Sequence, residues 1–151
     1  TVPTKHIDAL RERLGAWVLE HIGQVDLVPI TAIDASVPAA RLGEGLFQDL
    51  SRIGPFGQGN PRPLLMIPGA QARDTRLLGA DQNMLKVRLR RGASTDLEAI
   101  WWGGSPHRAL FDEGPVDVLG HLGVNEWQGR RTLQLEIKDV RRSAPSAATS
   151  H

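Results

Sequence analysis

The stretch Met84-Leu85-Lys86-Val87-Arg88-Leu89-Arg90-Arg91 decides the fold class. Leu85, Val87 and Leu89 alternate with Lys86, Arg88 and Arg90. A period of two is the period of a β-strand, so three aliphatic side chains share one face and three cations the other. Such a strand belongs to a sheet with one face on a core and one in water. Working outward, residues 64–67, 70–78, 97–102, 116–124 and 132–140 also read as strands. In 116–124, Val116, Val118, Leu122 and Val124 lie on one face. In 132–140, Leu133, Leu135 and Ile137 point inward while Gln134, Glu136 and Lys138 point outward. Residues 106–111 predict a short helix and residues 125–129 a turn.

Counted from Ala70, the order is three strands, a short helix, then two strands. A five-stranded Greek-key barrel of the OB type has that order, with an outer face suited to oligonucleotides or oligosaccharides. Upstream the pattern is helical. In residues 4–22, Ile7, Leu10, Leu14, Trp17, Val18 and Ile22 recur at three- and four-residue spacing, with Thr4 to cap the start and Gly23 to end it. Residues 27–34 look extended, because β-branched residues surround Pro29. Residues 41–53 predict a second helix with Leu42, Leu46, Leu50 and Ile53 on one face. The expected fold is mainly β with helices (α+β): a five-stranded barrel preceded by two helices. Residues 1–26 form the first helical segment, 27–63 a lead-in and joint, and 64–142 the barrel. Residues 143–151, a Ser/Ala/Pro tail, are expected to be disordered.

Composition excludes several classes. The 151 residues are 40% hydrophobic and 23% charged, which argues for a folded core. Zero cysteine removes disulfides, thiolate zinc sites and cysteine nucleophiles. No apolar run approaches the ~20 residues that span a bilayer, and the N-terminus lacks signal-peptide order. The net charge of +1 conceals an asymmetry: residues 1–61 sum to −2 and residues 62–151 to +3. The five histidines show no short metal-ligand spacing, and no catalytic triad or carboxylate pair can be assembled, so no catalytic or metal residue is assigned.

Residues 54–63, Gly-Pro-Phe-Gly-Gln-Gly-Asn-Pro-Arg-Pro, hold three glycines and three prolines. They lack the Lys-Ser/Thr pair and the strand-to-helix setting of a phosphate-binding loop. Pro55, Phe56, Gly57, Gly59, Asn60 and Pro61 are read as a rigid structural joint, with Phe56 buried and the glycines at backbone angles other residues avoid.

Three stretches together carry a family likeness. Residues 50–63, with their Pro-Phe-Gly-x-Gly-Asn-Pro string, resemble the segment before the OB domain of RecJ-like single-stranded-DNA-specific exonucleases of the DHH phosphoesterase family. Residues 124–129, followed by Leu133-Gln134-Leu135 and Asp139, resemble the end of that domain, and residues 27–34 resemble its lead-in strand. The Asp-His-His motif of these enzymes is absent, and so is the histidine that usually opens the strand at Met84. The resemblance implies a C-terminal piece of such a nuclease, non-catalytic alone, acting in DNA repair and recombination in a bacterial cytoplasm. Its Mn or Mg site would lie in the missing catalytic domain, so this chain itself is assigned no cofactor. Implied partners are single-stranded DNA, that catalytic domain and a single-stranded-DNA-binding protein, with no membrane. Arg73, Arg76, Lys86, Arg88, Arg90 and Arg130 are the candidate phosphate contacts; Lys86, Arg88 and Arg90 stand at alternate strand positions about 6–7 Å apart, comparable to phosphates along a strand. Trp102 and Trp127 are the candidate stacking platforms. The competing reading is a protein-interaction or scaffolding domain that docks on the nuclease core or on a partner protein.

Overall fold

A computed structural model describes residues 3–22 and 30–144. The chain divides into two compact units, residues 1–31 and residues 32–151. In the first, a 3-10 turn Thr4–His6 leads into α1 (Ile7–Ile22). Pro3 rather than Thr4 occupies the cap position, and no side chain caps the start. Thr4 is instead the first residue inside the turn. Ile7, Leu10, Leu14 and Trp17 form the predicted stripe and are exposed. Gly23, the expected stop, lies outside the described residues.

The second unit opens with β1 (Ala35–Ser36), a parallel partner of β2 (Leu65–Ala70). The expected strand over 27–34 is corrected: residues 27–29 lie outside the described residues, and pairing starts only at Asp34. There the Asp34 carboxylate accepts the Leu64 N–H at 2.8 Å, and the Asp34 N–H donates to the Leu64 carbonyl at 3.0 Å. The second helix, α2 (Glu44–Arg52), is shorter than predicted. Gly43 is extended at its cap, and Leu42 is fully buried before the helix begins. Ile53 ends up exposed, while Leu46, Phe47 and Leu50 pack on the core.

The remaining strands are β3 (Ala72–Leu78), β4 (Met84–Arg90), β5 (Asp96–Trp102), β6 (Val116–Trp127) and β7 (Arg130–Arg142). A 3-10 turn Ser105–His107 and the short α3 (Ala109–Asp112) replace the predicted single helix. The sheet has seven strands, not five, in the order β1-β2-β6-β7-β5-β4-β3. Two features account for the difference. β1 adds a strand at one edge. β2, the short strand read over 64–67 but not counted in the barrel, joins the sheet as well; it bends at Gly69, where φ is +60°, and only Gln71 separates it from β3. β2 pairs with β6 and β3 with β4, so this bent run joins the two sides of the sheet and curls it on itself. The pairing of β5 with β7 is parallel; all other pairings except β1 with β2 are antiparallel.

The core is what the alternation predicts. Leu85, Val87 and Leu89 of β4 are buried, as are Leu97, Ala99 and Trp101 of β5 and Val116, Val118 and Leu122 of β6. In β7, Leu135 and Ile137 are buried and Leu133 packs beside them. Between Leu119 and Gly120 the register slips, so one extra β7 residue, Lys138, bulges out. The bulge resets the parity and puts Val140, not Asp139, inside.

Candidate nucleic-acid interface

The water-facing residues of β4, β5, β6 and β7 line one open groove of about 550 Å³. Lys86, Glu98, Ile100 and Gln134 line it, together with Trp102 and Trp127. A second groove, over β3, β4 and β5, shares Leu78, Lys86 and Glu98 with the first, so the two are continuous. Trp101 and Trp102 face opposite ways, as adjacent strand residues must. Trp101 is buried and stacks on His107 with ring centroids 5.0 Å apart, whereas Trp102 is 68% exposed. Trp127 is 70% exposed. It ends β6 at a two-residue turn, Gln128 and Gly129, both with positive φ (+50° and +74°). That geometry matches the twist of the flanking strands. The predicted turn over 125–129 is therefore narrower than expected: Asn125, Glu126 and Trp127 remain in the strand and pair with Thr132, Arg131 and Arg130.

The cations lie where the alternation puts them, but most are paired. Lys86 Nζ lies 2.6 Å from Glu98 Oε1. Arg88 and Arg73 share Asp96, at 2.8 Å and 3.0 Å, on its two oxygens. Arg76 donates to Asp74 at 2.9 Å. Arg90 stands opposite Asp96 in register, but both Asp96 oxygens are already engaged, and it is exposed. Arg130 is exposed opposite Trp127 on the hairpin. Reading β4 alone missed these carboxylates. Their signal was present, since Asp96 and Glu98 alternate with Leu97 and Ala99.

Arg62 was also missed, and nothing in the sequence pattern marks it. It lines the main groove and reaches Glu136 at 3.4 Å. The Glu136 carboxylate is held below the usual glutamate range, chiefly by the hydrogen bond from Lys138 and further by the charges of Lys138, Arg62 and His121. Asp117 is likewise held low, chiefly by the Ser143 hydroxyl and also by the Gly69 N–H and Arg141. The Ser143 and Gly69 bonds measure 2.6 Å and 3.1 Å.

The joint differs from expectation in two respects. Phe56 is half-buried, not buried. Gly57 and Gly59 do not adopt positive φ; the positive values fall at Gly69, Gly79, Gly103, Gly114 and Gly129. Order in the loop comes from hydrogen bonds instead. Gly57 and Asn60 exchange backbone bonds at 2.8 Å and 3.2 Å, and the Asn60 amide donates to the Ile53 and Pro55 carbonyls at 2.9 Å and 3.1 Å. Pro61 carries the chain from this turn to Arg62.

Among the described residues no group of three or more His, Asp or Glu could hold a metal ion. The groove carboxylates each accept from a neighbouring cation, which suits ion pairing and not a divalent centre. Among the described residues no helix is long and apolar enough to cross a membrane.

Fold and face together define an α+β domain built on a curled sheet, with an open outer groove of cations, carboxylates and two exposed tryptophans. The family model described as "RecJ OB domain" matches residues 33–139, and the chain belongs to that family. Its similar relatives include the single-stranded-DNA-specific exonuclease RecJ of Bacillus subtilis, 24% identical over 93% of this chain and 18% of that protein. RecJ of Thermus thermophilus is 30% identical over 70% of this chain and 14% of that protein. A crystal structure of the Thermus thermophilus RecJ with Mg2+ superposes with a TM-score of 0.71 at 26% identity, covering 96% of this chain and 21% of that one. The same protein has also been solved with Mn2+. The chain thus spans about a fifth or less of the length of these relatives.

Proposed function

We propose that this chain is the single-stranded-DNA-holding module of a 5′-to-3′ exonuclease of DNA repair and recombination, non-catalytic by itself. The observation that carries the reading is one groove bearing two tryptophans about 70% exposed beside a cross-strand row of cations. Exposed indole faces stack on bases whatever their sequence, and the cations track the backbone. Family membership and the names of the relatives support the same substrate class. The metal chemistry of bond cleavage belongs to a catalytic domain outside this chain.

In detail, Lys86, Arg88, Arg76 and Arg90 lie along the path of the strand, with Arg73 at one side and Arg130 at the hairpin. Trp102 and Trp127 stack bases. Phosphates exchange for the carboxylates that the cations hold in the free protein, so binding is electrostatic and weakly sequence-selective. Fluorescence titration of a labelled single-stranded oligonucleotide at low salt tests this reading. Binding should be measurable for the wild type and collapse in Lys86→Glu/Arg88→Glu. A wild type that does not bind, or a double variant that binds equally well, refutes it.

A further inference from the structure

The Pro61-Arg62-Pro63 step places a cation that the family string does not call for. The Arg62 guanidinium lies over the backbone of β6: a Cβ built on Gly123 would stand 2.8 Å from its terminal nitrogen. Gly123 therefore serves as a seat, and its backbone does not need the positive φ that would otherwise explain a glycine. A carboxylate contact to Glu136 at 3.4 Å also holds the guanidinium. Arg62 and Gly123 line two clefts at once. One is the main outer groove; the other runs beside the joint, with Pro55, Phe56 and Phe47 on its walls. The two clefts meet at Arg62, Gly123 and Val124.

We infer that Arg62, seated on Gly123, forms a further nucleotide subsite that carries a single strand off the sheet and onto the face of Phe56. The inference rests on the proposed function. Its chemistry is that of an arginine plane or charge against a base or phosphate, followed by an aromatic platform.

The geometry supplies its own control. In Gly123→Ala the new methyl crowds only the far end of the flexible Arg62 side chain and stands an ordinary 4.0 Å from the Gln134 carbonyl, so the fold survives while the guanidinium is displaced and the charge is kept. The test compares wild type, Arg62→Ala, Gly123→Ala and Phe56→Ala by anisotropy at low salt. Two oligothymidines are used, about 5 and about 15 nucleotides long, at the ends of the range one such barrel covers. Thermal melts confirm that each variant is folded. The inference expects affinity for the long oligonucleotide to fall about tenfold in Arg62→Ala and several-fold in the other two. Because Arg62 and Gly123 also line the main groove, affinity for the short one should fall too, but by clearly less. Equal binding of the long oligonucleotide by Arg62→Ala and wild type overturns the subsite. So does an equal loss for both lengths, which would confine the Arg62 contact to the main groove. If the wild type binds neither length, the proposed function falls, and the subsite falls with it.

Discussion

Lys86 and Glu98, 2.6 Å apart across β4 and β5, show how the face balances attraction against restraint. Both side chains are about a third exposed, so the pair contributes little to stability. Its larger effect is on the charge offered to a phosphate. Glu98→Gln leaves Lys86 unpaired, and affinity for single-stranded DNA should rise about two- to fivefold; a decrease in titration would show that Glu98 instead orients the lysine for binding. Asp117 is a different kind of carboxylate. It is nearly buried and ties the Gly69 bend to the end of β7 through Ser143 and Arg141. Asp117→Ala leaves the Gly69 N–H and the Ser143 hydroxyl without their acceptor and should cost about 1–3 kcal/mol at pH 7 in urea denaturation. Because folding lowers the Asp117 pKa, its stabilisation is fully present above the unfolded value. It fades as pH falls through the ordinary aspartate range to the lower folded one. The gap between wild type and Asp117→Asn should therefore shrink between pH 7 and about pH 3; a constant gap would show that charge plays no part.

At the scale of elements, β6 and β7 form the longest pair and carry the bulge that decides which β7 residues are buried. Gly120 sits at that slip. A Cβ there would stand 2.6 Å from the Glu136 carbonyl oxygen and 3.1 Å from Leu135, and backbone cannot step aside as a side-chain end can. Gly120→Ala should destabilise by about 1–3 kcal/mol in chemical denaturation, in contrast to the mild Gly123→Ala three residues on. Equal stability of the two variants would mean that the bulge relaxes freely. The element boundaries the sequence pattern misplaced share one cause. α2 starts late because Gly43 is extended and Leu42 is drawn into the core, and β1 starts late because pairing needs Leu64 and Met66. Each depends on a partner distant in the chain, which no local window contains.

For the whole molecule, the net charge of +1 is a poor guide to the face, where cations and carboxylates interleave. If phosphates displace those carboxylates, binding must weaken with salt: log affinity against log salt should have a slope of about −2 to −4. A slope near zero would leave stacking alone to hold the strand and remove the cations from the site. Much of this architecture was legible in the chain. The alternation around Met84–Arg90 and its repeats set the strands, the buried aliphatic face and the outward row of cations, because a period of two admits no other arrangement. Adjacent Trp101 and Trp102 had to face opposite sides for the same reason. The tertiary structure decided what periodicity cannot carry: that the run Leu65–Leu78 bends at Gly69 and joins two sides of the sheet, that Asp96 and Glu98 stand against the cations, and that Arg62 comes to rest over Gly123. Those are meetings of residues far apart in the chain, and their physics is that of closing a sheet, where register and close approach choose the neighbours.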